Sequence, residues 1–263
     1  MRLMNTLKTI RQEINNALDE AYAKQSICLD KEEDCILSEI KKKGFFVIDS
    51  FYTASECEQN RIEIDNLIKK HKNRIFKDHE DSDHRIFGAD CLSEVINKFY
   101  KHPFINRFVR AHEKTLNISG LTLAAKLEYK PGNLGSGAGW HRDWAVNKQI
   151  KAMLYLTDVE EKNGPFQYIE SSHSHLAVIR ESALNNFEFN QNRFTDEEVN
   201  RIIERNKSKL KTFAAKAGTL ILVNTRGIHR GMPIKSGTRY ALTNYYWSNM
   251  PIPEHIEKMI IRS

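Results

Sequence analysis

The segment Leu-Thr-Leu-Ala-Ala-Lys-Leu-Glu-Tyr, residues 121–129, opens the series of strand-like segments that decides the fold. Strand-forming residues fill each of these segments, and turn sequences such as Pro131-Gly132 and Asn163-Gly164-Pro165 separate them. Many short strands joined by such turns predict an antiparallel sandwich or barrel. The predicted strands cover residues 121–129, 150–157, 166–170, 211–215, 218–224 and 239–247.

The residues before this series are predicted to be mainly helical. Apolar residues at helical spacing predict one helix within residues 3–18, and a second pattern begins at Asp30 and stops at Gly44. Gly44–Ile48 is a short run of strand formers. Thr53-Ala-Ser-Glu56 is a capping box that opens a helix to about residue 70, and Thr195-Asp-Glu-Glu198 is another. Two more helices are predicted at 92–100 and 103–114, and the charged stretch 71–90 is expected to form a long loop.

Composition limits the classes of partner. The 263 residues carry 40 basic and 34 acidic side chains, a net charge of +6 with no clustered basic footprint. We therefore expect a small-molecule substrate, mildly favouring an anionic one, and neither nucleic acid nor a membrane as partner. No apolar stretch approaches the roughly 20 residues that span a bilayer. The four cysteines form no CxxC pair, which favours reduced thiols and a cytoplasmic location, while the oligomeric state stays open.

Two neighbouring side chains in the β-rich half are candidate metal ligands. On an extended segment, residues i and i+2 point the same way, so His141 and Asp143 can offer an imidazole and a carboxylate to one ion. His229 follows 86 residues after Asp143, near the end of a predicted strand. Two histidines and one carboxylate on one face of a metal are typical of non-haem Fe(II) oxygenases. The opposite positions would admit a bidentate 2-oxo acid and dioxygen.

Arg239 begins the last predicted strand, ten residues after His229. A buried guanidinium binds a carboxylate through a bidentate, charge-assisted pair. 2-Oxoglutarate has such a carboxylate at the end remote from its metal-binding group. The sequence therefore predicts a triad of metal ligands followed by a cosubstrate anchor.

Strand alternation suggests further residues of the cavity. If the polar face of the first predicted strand looks inward, Lys126 lies near the cosubstrate; a solvent-facing lysine is the alternative. Tyr155 is a candidate hydrogen-bond donor to 2-oxoglutarate, or else a packed tyrosine. Thr243 shares the face of the predicted anchor and either assists it or packs in the core. Trp140 and Trp144 flank the ligands and either wall the substrate pocket or pack.

Several motifs between residues 44 and 247 carry a resemblance to a known family. They are Gly44-Phe-Phe-Val-Ile-Asp49, Trp140-His141-Arg142-Asp143, Asn163-Gly164-Pro165-Phe166-Gln167, Ser171-Ser172-His173, His229-Arg230-Gly231 and Arg239. Together they resemble the phytanoyl-CoA dioxygenase family of Fe(II)/2-oxoglutarate oxygenases. The family's Pro-Gly-Ser-His is here Glu170-Ser171-Ser172-His173, a departure that alters a turn and no ligand.

The resemblance implies a double-stranded β-helix, or jelly-roll, core flanked by N-terminal helices. With the sequence pattern, we expect one domain over residues 1–263, with a helical extension (1–43) that lies outside the motifs, a mainly helical support (44–120) and the jelly-roll core (121–250). The resemblance also implies Fe(II) held by His141, Asp143 and His229, and 2-oxoglutarate held by Arg239, for dioxygen-dependent oxidation of a small substrate. The carboxylate at 143 favours hydroxylation of an unactivated carbon over halogenation, with desaturation, epimerisation or cyclisation as variants.

Two other classes of function stay open at this point. One is a non-catalytic jelly roll that binds a metal or a ligand. The other is a cupin-like metalloenzyme that uses the same ligands without 2-oxoglutarate. Metal-dependent binding of 2-oxoglutarate separates the oxygenase from both.

Overall fold

The computed structural model describes residues 14, 17, 20, 21, 26–145, 149–188, 190–206 and 209–262. The first predicted helix, within residues 3–18, lies almost entirely outside them. Across the described residues, no helix combines the length and the apolar character needed to span a bilayer. The helices are α1 (Lys31–Lys43), α2 (Ala54–Lys70), α3 (Glu94–Tyr100), α4 (Pro103–Glu113), α5 (His175–Asn185), α6 (Asp196–Arg205) and α7 (Glu254–Glu257).

The predicted helix starts are confirmed by their capping hydrogen bonds. In α2, the Thr53 hydroxyl accepts from the Glu56 amide (3.2 Å) while the Glu56 carboxylate accepts from the Thr53 amide (2.8 Å). Thr195 and Glu198 make the same reciprocal pair at the start of α6. α1 begins after the capping residue Asp30 and ends at Gly44, whose φ of 95° is the left-handed conformation that glycine adopts most readily.

The strands of the described residues form two antiparallel sheets. The large sheet has the order β1 (Phe45–Ile48), β8 (Leu220–Asn224), β5 (Ile150–Tyr155), β10 (Thr238–Ser248), β4 (Ile118–Glu128), β3 (Asp83–Phe87) and β2 (Phe76–Lys77), and the small sheet has the order β7 (Leu210–Phe213), β6 (Phe166–Ile169) and β9 (His229–Gly231). An isolated antiparallel bridge joins His141 to His229 of β9, so the short segment around His141 extends the small sheet.

The two faces of the large sheet have different neighbours. Its inner face packs on the small sheet through a buried cluster that includes Tyr155 and Ile221 on one side and Tyr168 and Phe213 on the other. Its outer face is covered by α1–α4, which share a second core with β5, β8 and β10. The arrangement is an open two-sheet jelly roll with helices packed outside it, which confirms the predicted fold class.

The large sheet takes more from the first half of the chain than the sequence indicated. β1 lies in the run of strand formers at 44–48, as expected, whereas β2 and β3 lie in the expected loop 71–90. The charges of that stretch suggested solvent exposure. In β3, however, Asp83 is buried because Arg85 donates to it, with Nε 2.9 Å from Oδ2.

The chain after β10, here named the C-terminal segment (residues 249–262), runs back along the edge of the large sheet. The amide of Ile261 donates to the carbonyl of Phe87 (3.1 Å), and Ile256 and Met259 pack on the apolar cluster around Phe87 and Trp247. This segment therefore forms an additional wall of the jelly roll. It lies outside the sequence motifs that carry the family resemblance.

Candidate active site

A cavity of about 370 Å³ lies inside the jelly roll. Its lining comes from the inner face of the large sheet, from the segment around His141, from β9 and from the C-terminal segment. On β10 the inward residues include Arg239, Thr243 and Tyr245, which alternate with residues of the outer core. The strand alternation of the large sheet thus supplies one whole side of the site.

The three predicted metal ligands converge at this cavity. One potential ligand atom from each of His141, Asp143 and His229 lies within 4.8 Å of the other two. Backbone pairing brings them together: His141 and His229 exchange both main-chain hydrogen bonds, with N···O distances of 2.9 and 2.8 Å. The amide of Asp143 donates to the carbonyl of Thr225 at 3.0 Å. The loop between β8 and β9 therefore holds the proximal pair against the distal histidine.

Both imidazoles present the same nitrogen to the cavity. The Nδ1–H of His141 donates to the carbonyl of Gly139 (2.9 Å), and that of His229 donates to the carbonyl of Gly227 (2.8 Å). A carbonyl only accepts, so this tautomer leaves the Nε2 lone pair of each ring free for a metal. Burial lowers the pKa of both rings, and burial followed by the neighbouring His141 lowers that of His229 to about 3. Both rings are therefore neutral at physiological pH, as metal binding requires.

The carboxylate of Asp143 has a cationic neighbour that sequence analysis did not single out. The Lys151 ammonium lies 2.6 Å from Asp143 Oδ2, and its side chain is only 7% exposed. Burial by itself would raise the pKa of the Asp143 carboxyl, but the ammonium of Lys151, with smaller contributions from the two neighbouring imidazoles, outweighs burial and holds that pKa below its usual range. Asp143 is therefore ionised, the form in which it can bind a metal.

Arg239 lies at the other end of the inward face of β10. It is buried beside the hydroxyl of Tyr155, and within the described part of the chain its Nε has no hydrogen-bond partner. Burial lowers the pKa of this guanidinium because its charged form is poorly solvated there. An anion bound beside it would compensate for the lost solvation. Thr243 lines the cavity on the same face, whereas Tyr155 is fully buried and donates to the carbonyl of Phe213 (3.2 Å).

The expected orientation of β4 is wrong. Its apolar face looks into the cavity, because the register pairs Leu127, Ala125 and Leu123 with the inward residues of β10. Lys126 consequently points to the outer side, where its ammonium lies 3.0 Å from Asp65 Oδ1 of α2. The inner face of the large sheet carries mainly apolar residues and a few charged ones. The assumption that the polar face of a strand lines the site is therefore wrong for β4.

The two tryptophans also lie away from the cavity. Trp140 is buried in a cluster with α6 residues, and the guanidinium of Arg230 sits over its ring, 4.3 Å from the centroid. Trp144 is half-buried and faces a separate cleft near His175. Residues beside a ligand along an extended segment point to the opposite side from it, which explains both placements.

Three charged residues of the lining, Lys151, Arg85 and Arg193, were not among the predicted site residues. Lys151 was detectable, since it shares a face with Tyr155 by strand alternation. Arg85 lay in the stretch assigned to a loop, so no alternation could be applied to it.

The donor set fits a divalent iron ion and an anionic chelator. Two free imidazole nitrogens and one ionised carboxylate on one side match the facial arrangement of non-haem iron sites. The buried and unpaired Nε of Arg239 fits a carboxylate. Fold and site together define the class: a jelly-roll protein with a candidate iron centre and a guanidinium in the same cavity.

Comparison with known proteins narrows this class to a family. The family model described as phytanoyl-CoA dioxygenase (PhyH) matches residues 40–241. The chain therefore belongs to the phytanoyl-CoA dioxygenase family.

The chain is also similar to curated proteins and, in fold, to solved structures. An ectoine dioxygenase of Bordetella parapertussis is 21% identical over 207 residues, 72% of this chain; the match spans 66% of the relative, just under two thirds of its length. The epimerase SnoN, solved with Fe³⁺, alpha-ketoglutarate and nogalamycin RO, has a TM-score of 0.61 at 14% identity, covering 82% of this chain and 84% of SnoN. HygX of Streptomyces hygroscopicus, solved with nickel and 2-oxoglutarate, has a TM-score of 0.59 at 16% identity, covering 84% of this chain and 88% of HygX.

Proposed function

We propose that this protein is an Fe(II)- and 2-oxoglutarate-dependent dioxygenase that hydroxylates an unactivated carbon of a small organic substrate. One observation carries the proposal: three convergent ligand atoms and a buried guanidinium face the same cavity. A binding module needs no such pair of features, and a metalloenzyme that does not use 2-oxoglutarate has no need of Arg239.

In this proposal, His141, Asp143 and His229 hold Fe(II) through their Nε2 atoms and one carboxylate oxygen. Arg239 binds the far carboxylate of 2-oxoglutarate, which would satisfy its unpaired Nε. Thr243, on the same strand face, assists it. Tyr155 acts through Arg239, whose guanidinium it contacts, instead of touching the cosubstrate from within the lining.

The iron, when bound, supplies the activation of dioxygen and couples the decarboxylation of 2-oxoglutarate to oxidation of the substrate. The protein holds the chelator and the substrate at fixed positions and excludes water. The carbonyls of Gly139 and Gly227 lock the two imidazoles in place for this purpose. The carboxylate at 143 completes the triad, which favours hydroxylation over chemistry that requires an open ligand position.

The comparisons support the cofactor assignment. Iron with alpha-ketoglutarate in SnoN and nickel with 2-oxoglutarate in HygX occur in proteins of the same fold. The name of the ectoine dioxygenases supports oxidation of a small molecule. We also propose a cytoplasmic location, since all four cysteines of the chain are unpaired.

Anaerobic calorimetric titration of 2-oxoglutarate, with and without Fe(II), tests the proposal. Binding is expected only with metal, and His141→Ala and Asp143→Ala should each weaken metal binding by more than about 100-fold, since even residues that support a ligand contribute 10–100-fold. His79→Ala is the matched control, because that side chain is 97% exposed. The assignment fails if 2-oxoglutarate binds equally without metal, or if it does not bind the iron-loaded protein.

A further inference from the structure

The charges that line the cavity are unbalanced. Among the described lining residues, Asp143 is the only acid, against four permanently basic side chains: Arg85, Lys151, Arg193 and Arg239. Arg193 is exposed at the rim, where water screens its charge. The other three are deep in the site, so their partners in the loaded enzyme determine what else the cavity can bind.

At one end of the cavity the charges are already accounted for. The buried carboxylate of Asp83 accepts a hydrogen bond from Arg85 and also interacts electrostatically with Arg239. Two guanidiniums and one carboxylate leave a single positive charge. The far carboxylate of 2-oxoglutarate, in the proposed function, balances that charge. This end of the site therefore needs no further anion.

At the other end of the cavity, metal binding changes the balance of charge around Lys151. Without metal, Lys151 is paired with Asp143 Oδ2 at 2.6 Å. A divalent ion is neutralised by the Asp143 carboxylate together with the near carboxylate of 2-oxoglutarate. Lys151 then shares its only anionic neighbour of the described lining with the metal. A buried ammonium without a full counter-charge costs free energy, and an anion from the substrate would remove that cost.

Lys151 also lies on the side of the site that remains for the substrate. It pairs in register with Tyr245, whereas Arg239 is six residues earlier on the same face of β10, about 20 Å away along the strand at 3.4 Å per residue. Around Lys151 the walls are apolar: its ammonium is 3.9 Å from the centroid of the Tyr245 ring, and Phe87, Ile256 and Met259 line the cavity nearby.

We infer that the substrate is a small monocarboxylate with an apolar body, and that Lys151 binds its carboxylate while Phe87, Tyr245 and the C-terminal segment enclose the body. The inference rests on the proposed function, because it assumes a site loaded with metal and 2-oxoglutarate. The cavity volume of about 370 Å³ is at the small end of ligand pockets and must hold the cosubstrate as well. Lys151 is thus the specificity-determining residue of the reaction.

Matched acid and amide pairs test this inference. The protein is loaded with Mn(II) and 2-oxoglutarate, and saturation of both is verified by titration. Binding is then measured by calorimetry and thermal shift for 4-methylpentanoate, phenylacetate and N-acetylvaline, each beside its primary amide. We expect at least one acid to bind 10-fold or more tightly than its amide. Equal behaviour of acids and amides, including the absence of binding by all of them, overturns the inference.

Variants locate the effect at Lys151. The preference for the acid should disappear in Lys151→Met and persist in Lys151→Arg and in Lys126→Met, whose lysine lies on the outer face of the same sheet. If Lys151→Met does not fold, Lys151→Gln replaces it. An acid preference that survives loss of the ammonium overturns the inference. Failure of 2-oxoglutarate to bind the metal-loaded wild type would instead refute the proposed function, so the two failures are distinguishable.

Discussion

Gly137 lies directly against the imidazole of His141, so close that a Cβ atom at residue 137 would overlap the Cε1 atom of the ring. The φ angle of Gly137 is +88°, and Gly139 has the same value, but a Cβ atom at residue 139 would have no neighbouring atom within 4 Å. A side chain at either residue would therefore strain the backbone, but only one at residue 137 would also collide with the imidazole of the metal ligand.

Gly137→Ala and Gly139→Ala should both lower the free energy of unfolding by about 1–2 kcal/mol, the cost of the left-handed conformation for an L-residue. Gly137→Ala should also displace His141 by direct contact and weaken metal binding by roughly 10-fold or more, whereas Gly139→Ala, which adds no contact with the ring, should weaken it less. Urea unfolding and Mn(II) titration measure the two effects. Equal metal affinity in the two variants would show that the ring tolerates the added methyl group.

Arg239→Ala should weaken 2-oxoglutarate binding roughly 10- to 150-fold, the equivalent of about 1.5–3 kcal/mol for a hydrogen bond to a charged group. Arg239→Lys should give an intermediate loss, since an ammonium keeps the charge and loses the bidentate geometry. Metal affinity should not change in either variant. The measurement is 2-oxoglutarate titration of the metal-loaded protein. Arg107→Ala, in an ion pair with Glu33 of α1, is the control, and an unchanged affinity in Arg239→Ala would remove the anchor role.

Lys126→Met should leave 2-oxoglutarate affinity unchanged. The ammonium lies on the outer face of the large sheet, 3.0 Å from Asp65 and 3.2 Å from Glu128. Loss of these ion pairs should reduce the free energy of unfolding by less than about 1 kcal/mol. Denaturant unfolding and cosubstrate titration of the same preparation measure both quantities. A large loss of cosubstrate affinity would contradict the outward placement of this side chain.

His173 makes the stability of the protein depend on pH. Burial lowers the pKa of its imidazole, whose Nε2–H donates to the carbonyl of Lys41 at 3.1 Å. Below about pH 6.5 the unfolded chain protonates this histidine while the folded protein resists doing so, so the free energy of unfolding falls as the pH falls. The slope from this one group is at most about 1.4 kcal/mol per pH unit.

Urea unfolding of the metal-free protein between pH 7 and pH 5 measures this slope. His173→Gln should lose less stability over the window than the wild type, because glutamine does not titrate. The exposed control His79→Ala should follow the wild type. Parallel curves for wild type and His173→Gln would show that His173 titrates normally.

The turn that contains His173 also shows how a departure from a family motif is accommodated. Ser171 occupies the position of the family's glycine and adopts φ +62°. Its amide and hydroxyl donate to the carbonyls of Lys43 (2.8 Å) and Lys42 (2.9 Å), which stabilises an unfavourable backbone conformation. The expectation that this departure alters a turn and no ligand is consistent with these contacts.

Much of the fold was predictable because local signals agree with the final packing. The capping boxes at Thr53 and Thr195 and the glycine stop at Gly44 depend only on neighbouring residues. The later strands other than the short β9 were found because apolar residues fill both buried faces. β3 was not, since it buries Asp83 and Arg85, and the burial of such a pair depends on a partner chosen by the tertiary fold.

The features of the site likewise divide into those that the local sequence predicts and those that depend on the tertiary fold. The grouping of His141 with Asp143 follows from the two-residue period of an extended chain, and the convergence of His229 with them required only that two strand ends meet. Which face of β4 looks inward could not be deduced, because it is set by the register with β10. Lys126 and Lys151 have similar sequence surroundings, yet the two sheet faces give them different environments.

The C-terminal segment lies beyond residue 241, where the family match ends, and yet His255, Ile256 and Met259 line the cavity. Chimeras that exchange only this stretch between relatives would therefore alter the shape of the pocket without touching iron or cosubstrate ligands. Diversification of substrate choice can proceed there independently of the chemistry of oxygen activation. Libraries aimed at new selectivity would start from these three positions.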